Sequence, residues 1–316
     1  MSDRSASVGS TAGATHPGRA DYVLLLLLAA VWGGSFLLIK LAVATIPPLT
    51  VASGRIVVGA AFLGAIAAWR GSRLPADRAA WGKLLAMGVL GTMLPFTLIG
   101  WGETRIDSGL AAILMSAVPL GTILLAHLFQ RDEPLTAGKL LGVLLGVAGI
   151  VVLIGPGALA GVGHQVMAQL AVLVATLCYA ANSVLARRLV GVPAEMVAIG
   201  MLLTAGLVGL PVSLAVDRPW RLDPSLLSIF AVVALGVLST AIGSLLLFRI
   251  IARAGAGFSS FNNFLVPLFG VFWGVTILGE EPQPRALAAL ALVLAGVAAP
   301  RLLAGKRVGA VGRSRV

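Results

Sequence analysis

The sequence predicts an all-α integral membrane protein, ten transmembrane helices arranged as two inverted five-helix repeats, and three observations predict it. The first is composition. Of 316 residues 59% are hydrophobic before the 39 glycines are counted, and 11% are charged. A soluble domain carries about 45–50% apolar residues with glycine included and about 25% charged ones, so the polar surface needed to cover a water-soluble core is missing. The second is that apolar runs of about 20 residues, each able to cross a hydrocarbon core at about 1.5 Å per residue, recur along the chain. The third is a weak internal repeat.

Taken in order, residues 1–20 are rich in Ser, Thr, Gly and Ala without apolar period and read as a disordered cytoplasmic tail. The spans follow at 22–43, 48–69, 81–101, 108–129, 136–154, 166–187, 195–216, 226–252, 257–278 and 285–301. Arg19 ahead of a leucine run imitates a signal peptide, but the run continues through Trp32 to Val43 and nine spans follow, so an uncleaved helix is expected. Residues 21–155 and 165–303 hold five spans each, and 304–316 form a basic cytoplasmic tail.

The net charge of +11 does not mark a nucleic-acid binder, because the 23 Lys and Arg are scattered singly between apolar runs instead of clustering on one face. They act as topology signals. With the N-terminus inside, 17 of the 23 fall on inner segments, which places both termini in the cytoplasm. The single cysteine, Cys178, allows neither an intrachain disulfide nor a cysteine metal cluster.

Sliding the chain against itself aligns Lys40 with Arg187 and Trp32 with Tyr179 at an offset of 147 residues. At 148, Thr92 meets Thr240, Arg105 meets Arg253, Val118-Pro119-Leu120 meets Val266-Pro267-Leu268, and Glu133-Pro134 meets Glu281-Pro282, with no gap across these four. An odd number of spans per repeat turns the second half upside down. That construction occurs in secondary carriers, with the solute site near the midplane between the halves.

The order Val31-Trp32-Gly33-Gly34-Ser35-Phe36 with Lys40, Pro48 with Arg55, the Pro119 span followed by Glu133, and Pro267 with Glu281 resembles the drug/metabolite transporter superfamily, in particular its EamA-type ten-helix exporters. The resemblance covers roughly residues 20–303. It implies a first repeat at 21–155 and a second at 165–303, a cavity lined by spans 1, 3, 4, 6, 8 and 9, and export of amino acids, related metabolites or toxic compounds. It implies a multi-pass protein of the bacterial inner (plasma) membrane that works by alternating access. One departure is Tyr179, where the first half has Trp32.

Pro119 lies 11 residues into span 4 and Pro267 lies 10 into span 9. Each lacks the N–H for the carbonyl four residues earlier, that of Met115 and Asn263, so these groups face either a wet cavity or a neighbouring helix. Ser260, Asn263 and Pro267 share one face of a helix, with Asn262 beside them. These amides, the Tyr179, Asn182 and Ser183 group of span 6, and Trp32, Ser35 and Phe36 of span 1 are candidate solute contacts; the competing use is helix packing. Lys40 and Arg55 either snorkel to the interface or recognise a carboxylate. No Asp or Glu lies deep in a span, which favours amphoteric, anionic or neutral solutes over cations. The acids and histidines that could carry protons are Glu103 at the outer end of span 3 and His127 near the inner end of span 4.

Glu133-Pro134 and Glu281-Pro282 suit the starts of the next helices, where Pro and a negative charge are both favoured. Gly142 with Gly146, and Gly270 with Gly274, form small-residue faces for packing within the chain or for a homodimer. His16, His127 and His164 make no metal-binding pair and no paired carboxylates occur in a span, so no enzyme, cofactor or metal is expected. The expected partners are a small-molecule solute and the lipid bilayer, with no nucleic acid. The alternative reading is a membrane scaffold or accessory subunit without transport activity.

Overall fold

The computed structural model describes residues 17–72, 74–75, 77–129, 134–155, 163–187, 189 and 191–313, with side chains described as far as Leu303. Helix α1 (Arg19–Val43) is followed by α2 (Pro48–Trp69), which starts with Pro at its first position. The third span is α3 (Arg78–Gly88), a wide π-helical segment π1 (Val89–Met93) and α4 (Leu94–Glu103). The fourth is split into α5 (Ser108–Met115) and α6 (Val118–Phe129), and α7 (Ala137–Ile154) closes the first half.

In the second half α8 (His164–Ala186) and α9 (Ala194–Val216) lead to α10 (Leu226–Ala234), a second π-helical segment π2 (Leu235–Ile242) and α11 (Gly243–Ser259). Helices α12 (Asn262–Leu278) and α13 (Pro284–Arg313) complete the chain. Among the described residues nine helical stretches are long and apolar enough to span a membrane, where ten were expected, and α12, 17 residues, is apolar but shorter than these nine. Side-chain caps start several helices: Asp77 accepts from the N–H groups of Ala79 and Ala80, and Ser225 from that of Ser228.

The two halves match part by part. Thr92 lies in π1 and Thr240 in π2, so the offset of 148 residues seen in the sequence carries a local backbone irregularity with it. Gly33 packs on Val266, Phe269 and Gly270 of α12, and Ala180, 147 residues on, packs on Gly121 of α6. Helix α1 of the first half lies against α10, α11 and α12 of the second, and α8 of the second lies against α4, α5 and α6 of the first. Helices α2 and α9 pack on each other, as do α7 and α13. This interlock is what a pseudo-two-fold axis in the membrane plane produces.

Lipid tails are as apolar as leucine, so close backbone approach supplies the cohesion between such helices. At the α7–α13 contact an added Cβ at either Gly142 or Gly296 would lie 2.5 Å from the other residue's carbonyl oxygen. Gly146 faces Leu120, Gly270 faces Ala112 and Phe36, and Gly274 faces Glu280 and Ser108. All four glycines of the small-residue faces are thus used within the chain. The opposite faces carry exposed aliphatics such as Leu144, Val147 and Val151 on α7 and Leu207 and Leu214 on α9, the side chains that suit lipid.

The span expected at 257–278 is not continuous. The chain turns at Ser260–Phe261, and within α11 Gly255 adopts φ 83° and ψ 162°, which is open to glycine and strained for other residues. The span expected to kink at Pro119 breaks one turn earlier, at Ser116–Ala117, and Pro119 occupies the first turn of α6, where a missing N–H costs nothing. The residue before α13's first turn is likewise not Glu281: Pro284 heads the helix. Glu133 and residues 1–16 of the expected N-terminal tail lie outside the described residues.

Candidate functional site

The site is built where the two halves meet. Arg55 lies on the second turn of α2 and is 5% exposed, far too buried to snorkel. Its Nε and Nη2 donate to Thr240 Oγ1 at 3.3 and 3.2 Å, across the boundary between the repeats, and its guanidinium carbon sits 3.7 Å from the centroid of the Phe96 ring. The π-helical turn of π2 places Thr240 here, and its carbonyl accepts from Ser244 Oγ at 2.6 Å. Stacking on an aromatic face and a weakly hydrated planar cation are what allow arginine this position. Tyr179 on α8 packs against the core cluster that contains Phe36, Ala112 and Ala175.

Lys40 does not snorkel either. From the last turn of α1 its Nζ donates to the carbonyls of Glu103 at 2.8 Å and Ile106 at 2.7 Å. A cation thereby meets the negative end of α4. Just beyond, Glu280 of the second half accepts from the N–H groups of Ser108 at 2.7 Å and Gly109 at 2.9 Å, setting an anion on the positive end of α5. The connection between α4 and α5 is held from both sides by opposite charges.

Glu103 was expected at the outer end of a span; it is at a helix end but fully enclosed. Its side chain is 0% exposed, and neither carboxylate oxygen has a hydrogen-bond partner among the described residues.

The other sequence-selected residues divide. Trp32 Nε1 donates to the carbonyl of Ser239 in π2 at 3.0 Å, Ser35 Oγ returns to the carbonyl of Trp32 at 2.6 Å, and buried Phe36 lies against Gly270. Met115 Sδ accepts from Thr176 Oγ1 at 3.4 Å. Asn182, half-buried, lies beside Gly91 of π1 with an Oδ1 that no hydrogen bond reaches. Thus Arg55 bonds across the seam to Thr240, Lys40 closes on the end of α4, and Trp32, Phe36 and Asn182 meet helices of the opposite half.

Ser260 does not join them. The turn at Ser260–Phe261 takes it off the face it was expected to share with Asn263 and Pro267, and its Oγ receives Arg301 of α13 while donating to the carbonyl of Gly257. Arg301 also covers the rings of Phe261 and Phe264. Of the two asparagines, Asn262 is the buried one, at 3% exposure and with Oδ1 unpartnered; Asn263 is half-buried, and Pro267 is buried inside α12. Pro119 is half-buried in the first turn of α6.

Phe96, Thr240 and Glu280 were not selected as site residues from the sequence. Thr240 did carry a signal, its pairing with Thr92 in the repeat. Phe96 and Glu280 carried none, since their roles depend on contacts between distant segments. A small cavity of about 100 Å³ lies near Glu280, lined by Arg105, Gln165, Gln169, Glu281 and Arg285 among others.

The model of the EamA-like transporter family matches residues 20–155 and again residues 166–299. The chain is 26% identical to the inner membrane transporter YedA of Escherichia coli (strain K12), over 86% of this chain and 88% of that one. It is 28% identical to an S-adenosylmethionine/S-adenosylhomocysteine transporter of Chlamydia trachomatis serovar L2, over 86% of both chains. It is 28% identical to a probable terminal-alkyne amino-acid exporter of Streptantibioticus cattleyicolor, over 86% of this chain and 90% of that protein.

Proposed function

This chain belongs to the EamA-like transporter family, and we propose that it exports small metabolites, amino acids or compounds related to them, by alternating access across the bacterial inner membrane with both termini in the cytoplasm. The observation that carries the reading is the bond from Arg55 to Thr240, because it sets a buried cation on the seam between the repeats. A solute carboxylate approaching that seam meets a fixed guanidinium and, from α1, the ammonium of Lys40. Arg55 is shielded from water, which strengthens charge recognition, and Lys40 is half-buried. Trp32, Phe36, Met115, Tyr179, Asn182, Asn262, Asn263 and Pro267 are proposed to form the walls, with Ser35 and Pro119 shaping the helices that carry them.

The names of two relatives support the solute class: one is a probable amino-acid exporter, and the other transports two sulfur compounds built on an amino-acid skeleton. The name of a third, an inner membrane transporter, supports the location. Opposite orientation of the halves supports alternating access, since a rocking motion about the shared axis exchanges the open side. The distribution of Lys and Arg supports cytoplasmic termini.

The test compares metabolites outside cells that overproduce the protein with those outside cells that lack it, repeated with Arg55→Gln at matched membrane abundance. The expected result is enrichment of amino-acid-like compounds that vanishes with the variant. Identical extracellular profiles in all strains would overturn the proposal.

A further inference from the structure

None of Arg55, Lys40, Phe96 and Thr240 contributes to the wall of the cavity of about 100 Å³ beside Glu280, which is a place apart from the Arg55 seam. We propose that this cavity is a second solute site, on the outer side of the molecule, and that it takes a small zwitterionic amino compound with its ammonium on the side-chain oxygen of Gln169. The inference rests on the export reading above and deepens it, adding a station on the way out.

Both repeats build the wall. The link from α4 to α5, α5 itself and the end of α7 come from the first, and α8, α12 and the start of α13 come from the second. With the N-terminus in the cytoplasm, α4 and α7 end at the outer face and α8 and α13 set out from it, so the cavity sits on the side to which an exporter delivers. Exposed Arg105, Asp107, Glu281 and Arg285 form its mouth, and Gln169 is its buried amide.

Two observations point to the occupant. Gln169 is 6% exposed, and its Oε1 has no hydrogen-bond partner among the described residues, although a buried carbonyl of this kind is costly until a donor reaches it. The position calls for a donor from outside the chain. The second observation is charge balance. Glu280 is already engaged, its two oxygens accepting from the N–H groups of Ser108 and Gly109. It thereby does the work of Asp107, the N-cap residue of α5, whose own side chain makes no capping hydrogen bond and is left to the mouth. Two guanidinium groups, of Arg105 and Arg285, then stand among two carboxylates, of Asp107 and Glu281.

A solute that carries both signs and no net charge leaves this balance intact, whereas a lone cation or anion upsets it. An ammonium brings three donors to an unbonded oxygen, and a planar guanidinium holds a carboxylate through two parallel bonds. The ammonium therefore enters first and the carboxylate stays with the arginines of the mouth. One water needs about 10–15 Å³ of such space, so the cavity is roomier than a water site and selects solutes with short side chains.

Equilibrium dialysis of the full chain in lipid nanodiscs against a saturating mixture of ¹⁴C-labelled L-amino acids tests the assignment. The wild-type protein is expected to bind two equivalents of label, Arg55→Gln and Gln169→Leu one each, and the double variant none. Gln169→Leu is expected to weaken the outer site by about tenfold to a hundredfold, and Gln169→Glu, which keeps an oxygen at that position, to retain the second equivalent. One equivalent in the wild-type protein, lost with Arg55→Gln and indifferent to Gln169→Leu, leaves the export reading standing and overturns the outer site, whose occupant is then water alone. One equivalent lost with Gln169→Leu and indifferent to Arg55→Gln upholds the outer site and removes the role given to Arg55. If the wild-type protein binds no label, the amino-acid reading and the outer site fall together. Should Gln169→Leu fail to insert, Arg285→Gln at the exposed mouth is expected to weaken the second equivalent by about tenfold; unchanged binding overturns the site.

Discussion

Arg253 Nε donates to Asp21 Oδ1 at 2.6 Å, fastening the third span of the second repeat to the start of the first span of the first. Asp21 also accepts from the N–H of Gly18 at 3.0 Å. The repeat offsets take Arg253 to Arg105 and Asp21 to Ala168, so the other end of the molecule has the arginine without the acid. Arg105 there turns to Thr104 and the ring of Trp101. Among the described residues the Asp21–Arg253 ion pair has no counterpart at Arg105, so the two ends of the carrier are fastened by different contacts.

Exchanging Asp21 for Asn removes the charge and keeps the shape, so the latched end is expected to open more often. A cysteine placed at Ser259, in a background lacking Cys178, reports this as labelling by a membrane-impermeant thiol reagent. The expected acceleration is about two- to fivefold, the scale on which partly exposed ion pairs shift equilibria. Equal labelling rates with and without Asp21 count against a latch.

Arg55→Gln is expected to lower flux by about 100-fold at matched abundance, which corresponds to about 2.7 kcal/mol. Arg55→Lys is expected to rescue little of it. A lysine keeps the charge but lacks the planar fork that meets Thr240 while lying on Phe96. Transport by Arg55→Lys at the wild-type rate means that charge alone suffices.

Gly142→Ala is expected to destabilise the protein by about 1–3 kcal/mol, since the new methyl group meets the carbonyl of Gly296 on a backbone that cannot yield cheaply. Gly64→Ala is the control: no atom lies within 4 Å of its added Cβ. Thermal unfolding in detergent, run on both variants, checks the contrast, and equal midpoints remove the assigned role of the α7–α13 contact.

The two midspan prolines are expected to differ. Pro119 lies in the first turn of α6, so Pro119→Ala is expected to leave flux within about twofold of wild type. Pro267 is inside α12, where alanine would supply an N–H to the carbonyl of Asn263 and straighten the helix. Its replacement is expected to cost about tenfold or more in flux. Proteoliposome assays of the pair decide, with equal losses removing the distinction.

The repeat was legible because Thr92 and Thr240, and Pro119 and Pro267, kept register through two sequences under similar constraints. The spans were legible because a bilayer imposes one length on every helix. The limits of that reading are equally physical. Polar residues at 259–263 mark either a cavity wall or a broken helix, since both expose backbone groups that need partners, and sequence does not separate the two. Lys40 and Arg55 look like interfacial side chains until the partners from distant segments are known: Thr240 lies 185 positions from Arg55. Glu103 looked peripheral for the same reason, its enclosure being built by other helices.

The widened turns at Val89–Met93 and Leu235–Ile242 have a bearing on tolerance to length change. A π-type turn accommodates a surplus residue while the helix on either side keeps its rotational phase. In the first repeat the downstream arm is the one that presents Phe96 to Arg55 and ends at Glu103. Removing one residue inside Val89–Met93 should therefore let the coil tighten and leave Phe96 and Glu103 on their present bearings, whereas the same deletion in α4 would swing everything beyond it by about 100°. The segment is the one stretch of that span where a codon can be lost without misaiming the centre.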